Sequence, residues 1–254
     1  MENSITIAVV GKGGTGKTVV ATILIGLLAK RFPGSVLAID ADSASSLPYT
    51  LEMDVERTVS RLRSDVAGSR DIQDEYRHVS SKDMMRTLLA KGDGFDLMVL
   101  GRPEGAGCYC AVNDLLKLGI TLLSGDYRVT IIDGEAGPEQ LNRRVVSKVD
   151  LLLVMCDMSI RSLRTAKEIM NVATSEHGEG VNVAQAGIIL NRVRGDEPEY
   201  KALANTGLRV LAQLPEDPCI NQYDREGRAL LDLPQDCPSR QEIERMLREI
   251  IPEY

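Results

Sequence analysis

Tryptophan is absent from these 254 residues, and the aromatic set stops at seven Tyr and two Phe. A grip on single-stranded nucleic acid needs aromatic faces on which bases stack, so that class is excluded. Basic residues are also in deficit: 30 Lys and Arg stand against 37 Asp and Glu, a net charge of -7. Affinity for a phosphate backbone requires clustered positive charge, which this balance withholds. No apolar run reaches the length of a membrane span. The opening stretch "MENSITIAVV" has no positively charged leader region and goes straight into a strand-like run. Neither a secretory leader nor a membrane anchor is expected, which leaves a cytoplasmic location. Five cysteines, an odd number in a chain of this size, suit a reducing compartment better than a disulfide framework.

Short β-branched runs, by contrast, recur along the chain: Ile5–Val10, Val36–Ile39, Leu97–Leu100, Val129–Ile132, Leu151–Met155, Ala186–Leu190 and Val210–Leu214. Most lack period-two alternation, which predicts strands covered on both faces, as in a parallel sheet. Helical patterns separate them. The expected fold is therefore α/β: a doubly wound, mostly parallel sheet of seven to eight strands with helices on both faces. No repeat or low-complexity linker divides residues 1–254, so one domain is expected. Residues 52–91, charged and poor in strand formers, read as a helical insertion within it. Near the C-terminus, Ile243, Met246, Leu247, Ile250 and Ile251 fall at helical spacing. A helix lying on a membrane would pair such a stripe with a basic face. Here Arg240, Arg245 and Arg248 are balanced by Glu242, Glu244, Glu249 and Glu253, so packing on the core is expected.

The stretch "VVGKGGTGKT", residues 9–18, follows a predicted strand and opens a predicted helix. Gly11, Gly13, Gly14 and Gly16 let the backbone turn tightly around Thr15 and aim its N–H groups at phosphates. The helix N-terminus adds a positive end. In such a loop Lys17 neutralises phosphate charge and the Thr18 hydroxyl ligates Mg²⁺. ATP and Mg²⁺ are therefore the expected cofactors.

An additional Lys12 makes the loop "GKGGTGKT". It resembles the deviant Walker A loop of the MinD, ParA and nitrogenase iron protein class of P-loop ATPases. The resemblance implies an ATP-gated homodimer in which Lys12 reaches the partner's nucleotide. "AIDAD" supplies Asp40 and Asp42 at a strand end, where ligands bind in open α/β sheets. By the same resemblance Asp42 orients or activates the attacking water and Asp40 supports the first switch. Ser43 stands where many relatives have proline. "IIDGEAG" supplies Asp133 as the carboxylate that meets Mg²⁺ through water, with a second switch running to Gly137. "LNRV" and "QLPEDP" match the segments that contact adenine, which carries Asn191, Pro215 and Asp217 over to the nucleotide. Lys12, Lys17, Asp42 and Asp133 form the expected catalytic set.

Cys108 and Cys110 are separated by one tyrosine in "GRPEGAGCYC". In an extended segment alternate residues point to one side, so both thiolates can converge on one ion. A disulfide between them would close a small strained ring. A two-fold axis through the segment would complete a four-thiolate site, able to hold Zn²⁺ in a tetrahedron or Ni²⁺ in a square plane. Residues 92–117 and their surroundings are similar to the nickel-insertion ATPases of carbon monoxide dehydrogenase, the CooC type. The similarity fades over 52–78 and the last twenty residues. It implies that Cys108 and Cys110 bind nickel or zinc at a dimer interface, with a nickel enzyme as client. The nitrogenase iron protein takes its cluster cysteines from separated segments, whereas this pair is contiguous. Cys156, Cys219 and Cys237 read as structural thiols.

Two other functions compete. A MinD- or ParA-like spatial regulator would bind membrane or DNA, which the acidic balance opposes, and it leaves the cysteine pair without a role. An iron–sulfur reductase component would also draw four thiolates from a dimer. A brown colour in anaerobically purified protein would mark the cluster, since zinc is colourless.

Overall fold

The structure, a computed structural model, describes residues 4–69, 72, 74, 76–102, 109–136, 148–174, 182–194 and 209–251. Its centre is one eight-stranded sheet in the order β3-β4-β2-β5-β1-β6-β7-β8. The strands are β1 (Ile5–Gly11), β2 (Val36–Asp40), β3 (Ala90–Lys91), β4 (Phe95–Val99), β5 (Val129–Ala136), β6 (Lys148–Cys156), β7 (Asn182–Val193) and β8 (Val210–Pro215). All neighbours pair in parallel except β3 and β4.

Successive strand residues point to opposite faces, and both faces are buried. Ile7 and Val9 of β1, Val36 and Ala38 of β2, and Leu151 and Leu153 of β6 enter one hydrophobic cluster. Their chain neighbours Ala8, Val10, Leu37, Ile39, Leu152 and Val154 enter the other. That is why the strands read as continuous apolar runs. The first face is covered by α1 (Lys17–Arg31) and by the helix Pro238–Ile250. The second is covered by α3 (Val59–Gly68), α5 (Tyr109–Leu123) and α6 (Ile160–Thr174). Shorter helices are α2 (Leu47–Thr50), α4 (Ser81–Arg86) and α7 (Pro218–Glu226); the Pro238–Ile250 helix is α8.

Helix α1 is apolar nearly all round, as a helix lodged between a sheet and other helices must be. Val20, Leu24, Ile25 and Leu28 are fully buried there. Truncating one of them to Ala would cost about 2–5 kcal/mol. Lys30 and Arg31 sit in its last turn, complementing the negative end of the helix dipole. In α8, Ile243, Met246 and Leu247 are buried against the same face. Its outer side is laced by Arg245 to Glu242 and Glu249, and Arg248 to Glu244. The terminal stripe therefore packs on the core as expected.

Three expectations change. Residues 52–91 carry α3 and α4, but their end forms β3, an edge strand paired antiparallel to β4 through a turn in which Gly94 has φ 80°. Strand β5 does not stop at Ile132: it continues to Ala136, which pairs with Gly11 of β1 after the register slips by one residue beyond the Val9–Asp133 pair. Asp133 is thus inside the strand, while Gly137 lies outside the described residues. Finally, Cys110 is not on an extended loop but in the first turn of α5, and it is exposed. A helical turn does not place residues two apart on one side. Convergence of the pair therefore rests on the path of Cys108, which lies outside the described residues. Among the described residues no helix is long and apolar enough to cross a membrane.

Candidate functional site

The β1–α1 junction turns through Gly11, Gly14 and Gly16, with φ of 146°, 80° and 92°. Two of these glycines are enforced by packing as well as by φ. A Cβ on Gly11 would stand 2.4 Å from the Met155 carbonyl oxygen of β6, and one on Gly16 would stand 2.4 Å from Asn191 Nδ2. The loop is tied down at Thr15, whose hydroxyl donates to the Lys12 carbonyl at 2.7 Å. Asn191, near the end of β7, donates from Nδ2 to the Thr15 carbonyl at 2.8 Å. An amide carries two donor hydrogens, so this tether is compatible with a base contact by the same side chain.

Lys17 opens α1 and is only 8% exposed. Next to it the Thr18 hydroxyl lies 3.2 Å from Ser46 Oγ, at the start of α2. Asp40 and Asp133 are register partners on adjacent β2 and β5. Parity puts both on the α1 side of the sheet, since Val36 and Ala38, and Val129 and Ile131, face that cluster.

The two acids are treated differently by the fold. Asp40 accepts from Asp42 N–H and from Leu47 N–H, each at 3.0 Å, and so clamps the loop between β2 and α2. Its pKa is nonetheless pushed up to about 7, by burial first and then by the charge of Asp133. Asp133 is 1% exposed, and both its carboxylate oxygens are buried without a hydrogen-bond partner among the described residues. Burial raises its pKa to about 6, against the opposing influence of the Thr18 hydroxyl and the Lys17 ammonium. Two orphaned oxygens beside a hydroxyl at a phosphate loop fit a hydrated Mg²⁺: hard oxygen donors, with room left for waters. Asp42, half-buried, accepts from Ala44 N–H at 2.9 Å and stands on the clamped loop.

Backbone bonds join three strand ends in a row. Ala41 N–H donates to the Asp133 carbonyl at 2.9 Å, and Leu100 N–H donates to the Asp40 carbonyl at 2.8 Å. Leu100 and Gly101 begin the segment that leads to the cysteines. Ser60 of α3 grips this root, its hydroxyl meeting the Leu100 and Gly101 carbonyls at 2.8 and 2.9 Å. A cleft of about 600 Å³ lies between Ser43–Ser45 on one side and Gly101–Arg102 on the other.

Sequence reasoning passed over Ser46, Ser60 and Asp157. The last is held by the Ser159 N–H at 2.9 Å and feels the charge of Lys12. Burial would raise its pKa, but the Ser159 bonds and Lys12 together hold it below the usual range. The "DMS" spacing of an Asx turn was its only sequence signal. Pro215 closes β8, half-buried. Asp217 is turned inward instead. It is 5% exposed, caps α7 through Cys219 N–H at 3.0 Å, and accepts from Ser239 N–H at 2.9 Å. Its side chain is thus bonded within the fold. Gly13 is exposed and Cys156 is buried at the end of β6.

The description "CobQ/CobB/MinD/ParA nucleotide binding domain" matches residues 6–231. An uncharacterised ATP-binding protein of Methanocaldococcus jannaschii is 37% identical over 96% of this chain and 98% of its own length. The carbon monoxide dehydrogenase accessory protein CooC of Rhodospirillum rubrum is 26% identical over 91% of each chain. Among solved structures, the septum site-determining protein MinD with Mg-ADP from Pyrococcus horikoshii superposes with a TM-score of 0.70 at 20% identity, covering 98% of this chain and 96% of that one. By the match over residues 6–231 and the 37% identical relative, this chain belongs to the CobQ/CobB/MinD/ParA family of P-loop ATPases.

Proposed function

We propose that this ATPase is a cytoplasmic metallochaperone, which carries nickel between two copies of the chain and delivers it to carbon monoxide dehydrogenase or a related nickel enzyme. The observation that carries the reading is the exposed Cys110 at the head of α5, in a "GCYC" stretch reached from Leu100, whose N–H is bonded to the end of β2. The relation to the accessory protein CooC of Rhodospirillum rubrum supports the client class. A spatial-regulator role leaves the exposed thiol of Cys110 unused.

In this reading the N–H groups of residues 11–16 hold the phosphates and Lys17 neutralises their charge. Thr18 and, through water, Asp133 hold Mg²⁺, which supplies charge stabilisation when bound. Asp42 positions the attacking water on a loop that Asp40 keeps in register. Lys12 acts across the dimer, and Gly137 belongs to the second switch. Asn191 and Pro215 border the base. Nickel, or zinc in its place, is cargo held by Cys108 and Cys110 of each protomer.

Ni²⁺ titration of the anaerobic, reduced protein carrying Cys219→Ser, which leaves Cys108 and Cys110 as the paired thiols, tests this. Thiolate charge-transfer absorption should appear, and Cys110→Ser should abolish its tight phase, because one substitution removes two of four sulfurs in a symmetric dimer. An unchanged tight phase in Cys110→Ser would refute the reading. Lys12→Gln should bind nucleotide as a monomer and fail to dimerise with a non-hydrolysable ATP analogue. A mutant dimer of full strength would remove Lys12 from the interface.

A further inference from the structure

A second group of metal-binding side chains lies at the other side of the sheet. Asp217 ends the β8–α7 connection, Cys219 is in the first turn of α7, and Cys237 is the residue preceding α8. One ligand atom from each lies within 4.8 Å of the other two. The spacing suits a tetrahedral ion bound at about 2.0 Å to oxygen and about 2.3 Å to sulfur. We propose that Asp217, Cys219 and Cys237 form a binding site for a divalent ion of the zinc type, separate from the Cys108–Cys110 segment. Six strand spacings separate β4 from β8 in the sheet order, or roughly 29 Å at about 4.8 Å each.

Four features argue for a ligand set rather than a cap alone. Capping needs only the carboxylate, yet two thiols converge on it, Cys237 donating from Sγ to Asp217 Oδ2 at 3.2 Å. That proton is the one a metal would replace. Asp217 is already oriented by Cys219 N–H and Ser239 N–H, as ligating carboxylates are. The Ser239 hydroxyl, 1% exposed, stands beside the same carboxylate as a further outer partner. Two thiolates, one carboxylate and a divalent ion leave one negative charge, and the N-termini of α7 and α8 each offer roughly half a positive charge. Cys237 is 2% exposed while Cys219 is half-buried, so an ion can enter from the Cys219 side.

The full chain carrying Cys108→Ser and Cys110→Ser isolates this site from the proposed nickel site. Anaerobic titration with Co²⁺ should give one ion per chain, with visible bands of a tetrahedral centre and thiolate charge transfer. Adding Cys219→Ser should weaken binding by more than about 100-fold, beyond the 10–100-fold that outer partners typically contribute. Cys219 is half-buried, so this variant should fold even where Cys237→Ser does not. Zn²⁺ should raise the thermal midpoint of the double variant and not of the triple variant. Absence of bound Co²⁺ in the double variant, or equal binding in the triple variant, would overturn the proposal.

Discussion

Asp133 and Asp217 are buried to almost the same degree, and the fold surrounds them in opposite ways. Asp217 is met by Cys219 N–H, Ser239 N–H and the Cys237 thiol. These donors outweigh its burial and hold its pKa below the usual range. Asp133 is met by no donor of hydrogen-bonding geometry among the described residues, and its pKa rises to about 6. Asp217 is satisfied by the chain's own donors whether or not an ion is bound beside it. Asp133 has no such donors among the described residues for either carboxylate oxygen, which leaves both to a ligand from outside the chain.

The largest expected effect is on turnover. Lys17→Ala should lower ATP hydrolysis by at least about 100-fold, the scale on which removal of one preorganised charge stabiliser acts. Asp42→Asn should keep nucleotide affinity while losing turnover. Comparable hydrolysis in Asp42→Asn and wild type would remove Asp42 from the reaction.

Stability should separate the two acids by sign. Asp217→Ala leaves two buried N–H groups without their acceptor and should cost about 2–4 kcal/mol. Asp133→Asn removes a buried charge whose burial outweighs the help of Lys17 and Thr18, so chemical denaturation of the nucleotide-free protein should show equal or greater stability. A loss in Asp133→Asn matching that of Asp217→Ala would break the comparison.

A smaller effect concerns pH. Because Asp40 and Asp133 bind protons more tightly folded than unfolded, their neutral forms favour the native state. That contribution is full below their ordinary value of 3.8 and is lost as pH rises through about 6 and about 7. The stability advantage of Asp133→Asn over wild type should therefore widen across that window. A gap that narrows as pH rises would contradict the assignment.

Much of this architecture was legible because one physical cause left a continuous trace. Strands covered on both faces read as unbroken apolar runs, and seven of them were found in the sequence. The phosphate loop was legible because Gly11 and Gly16 have no sterically allowed replacement. β3 escaped notice because two residues at a sheet edge carry no pattern. The extension of β5 to Ala136 depends on pairing with Gly11, a partner no local window contains. Cys110 was misplaced because the glycine and proline before it hide where α5 begins. The Asp217–Cys219–Cys237 group was invisible for a different reason. Prolines beside each cysteine mark helix starts, but only the bonds from the Cys237 thiol and Ser239 N–H to Asp217 bring the two starts together.

The proposed function requires that nucleotide state reach the cysteine segment, and the bonded strand ends of β5, β2 and β4 offer the route. The direct test titrates Ni²⁺ into anaerobic, reduced Cys219→Ser protein, with and without Mg²⁺ and a non-hydrolysable ATP analogue. The account predicts one tightly bound ion per two chains and an affinity that changes by at least about fivefold with the analogue. One ion per chain, or superimposable curves in the two nucleotide states, would contradict it.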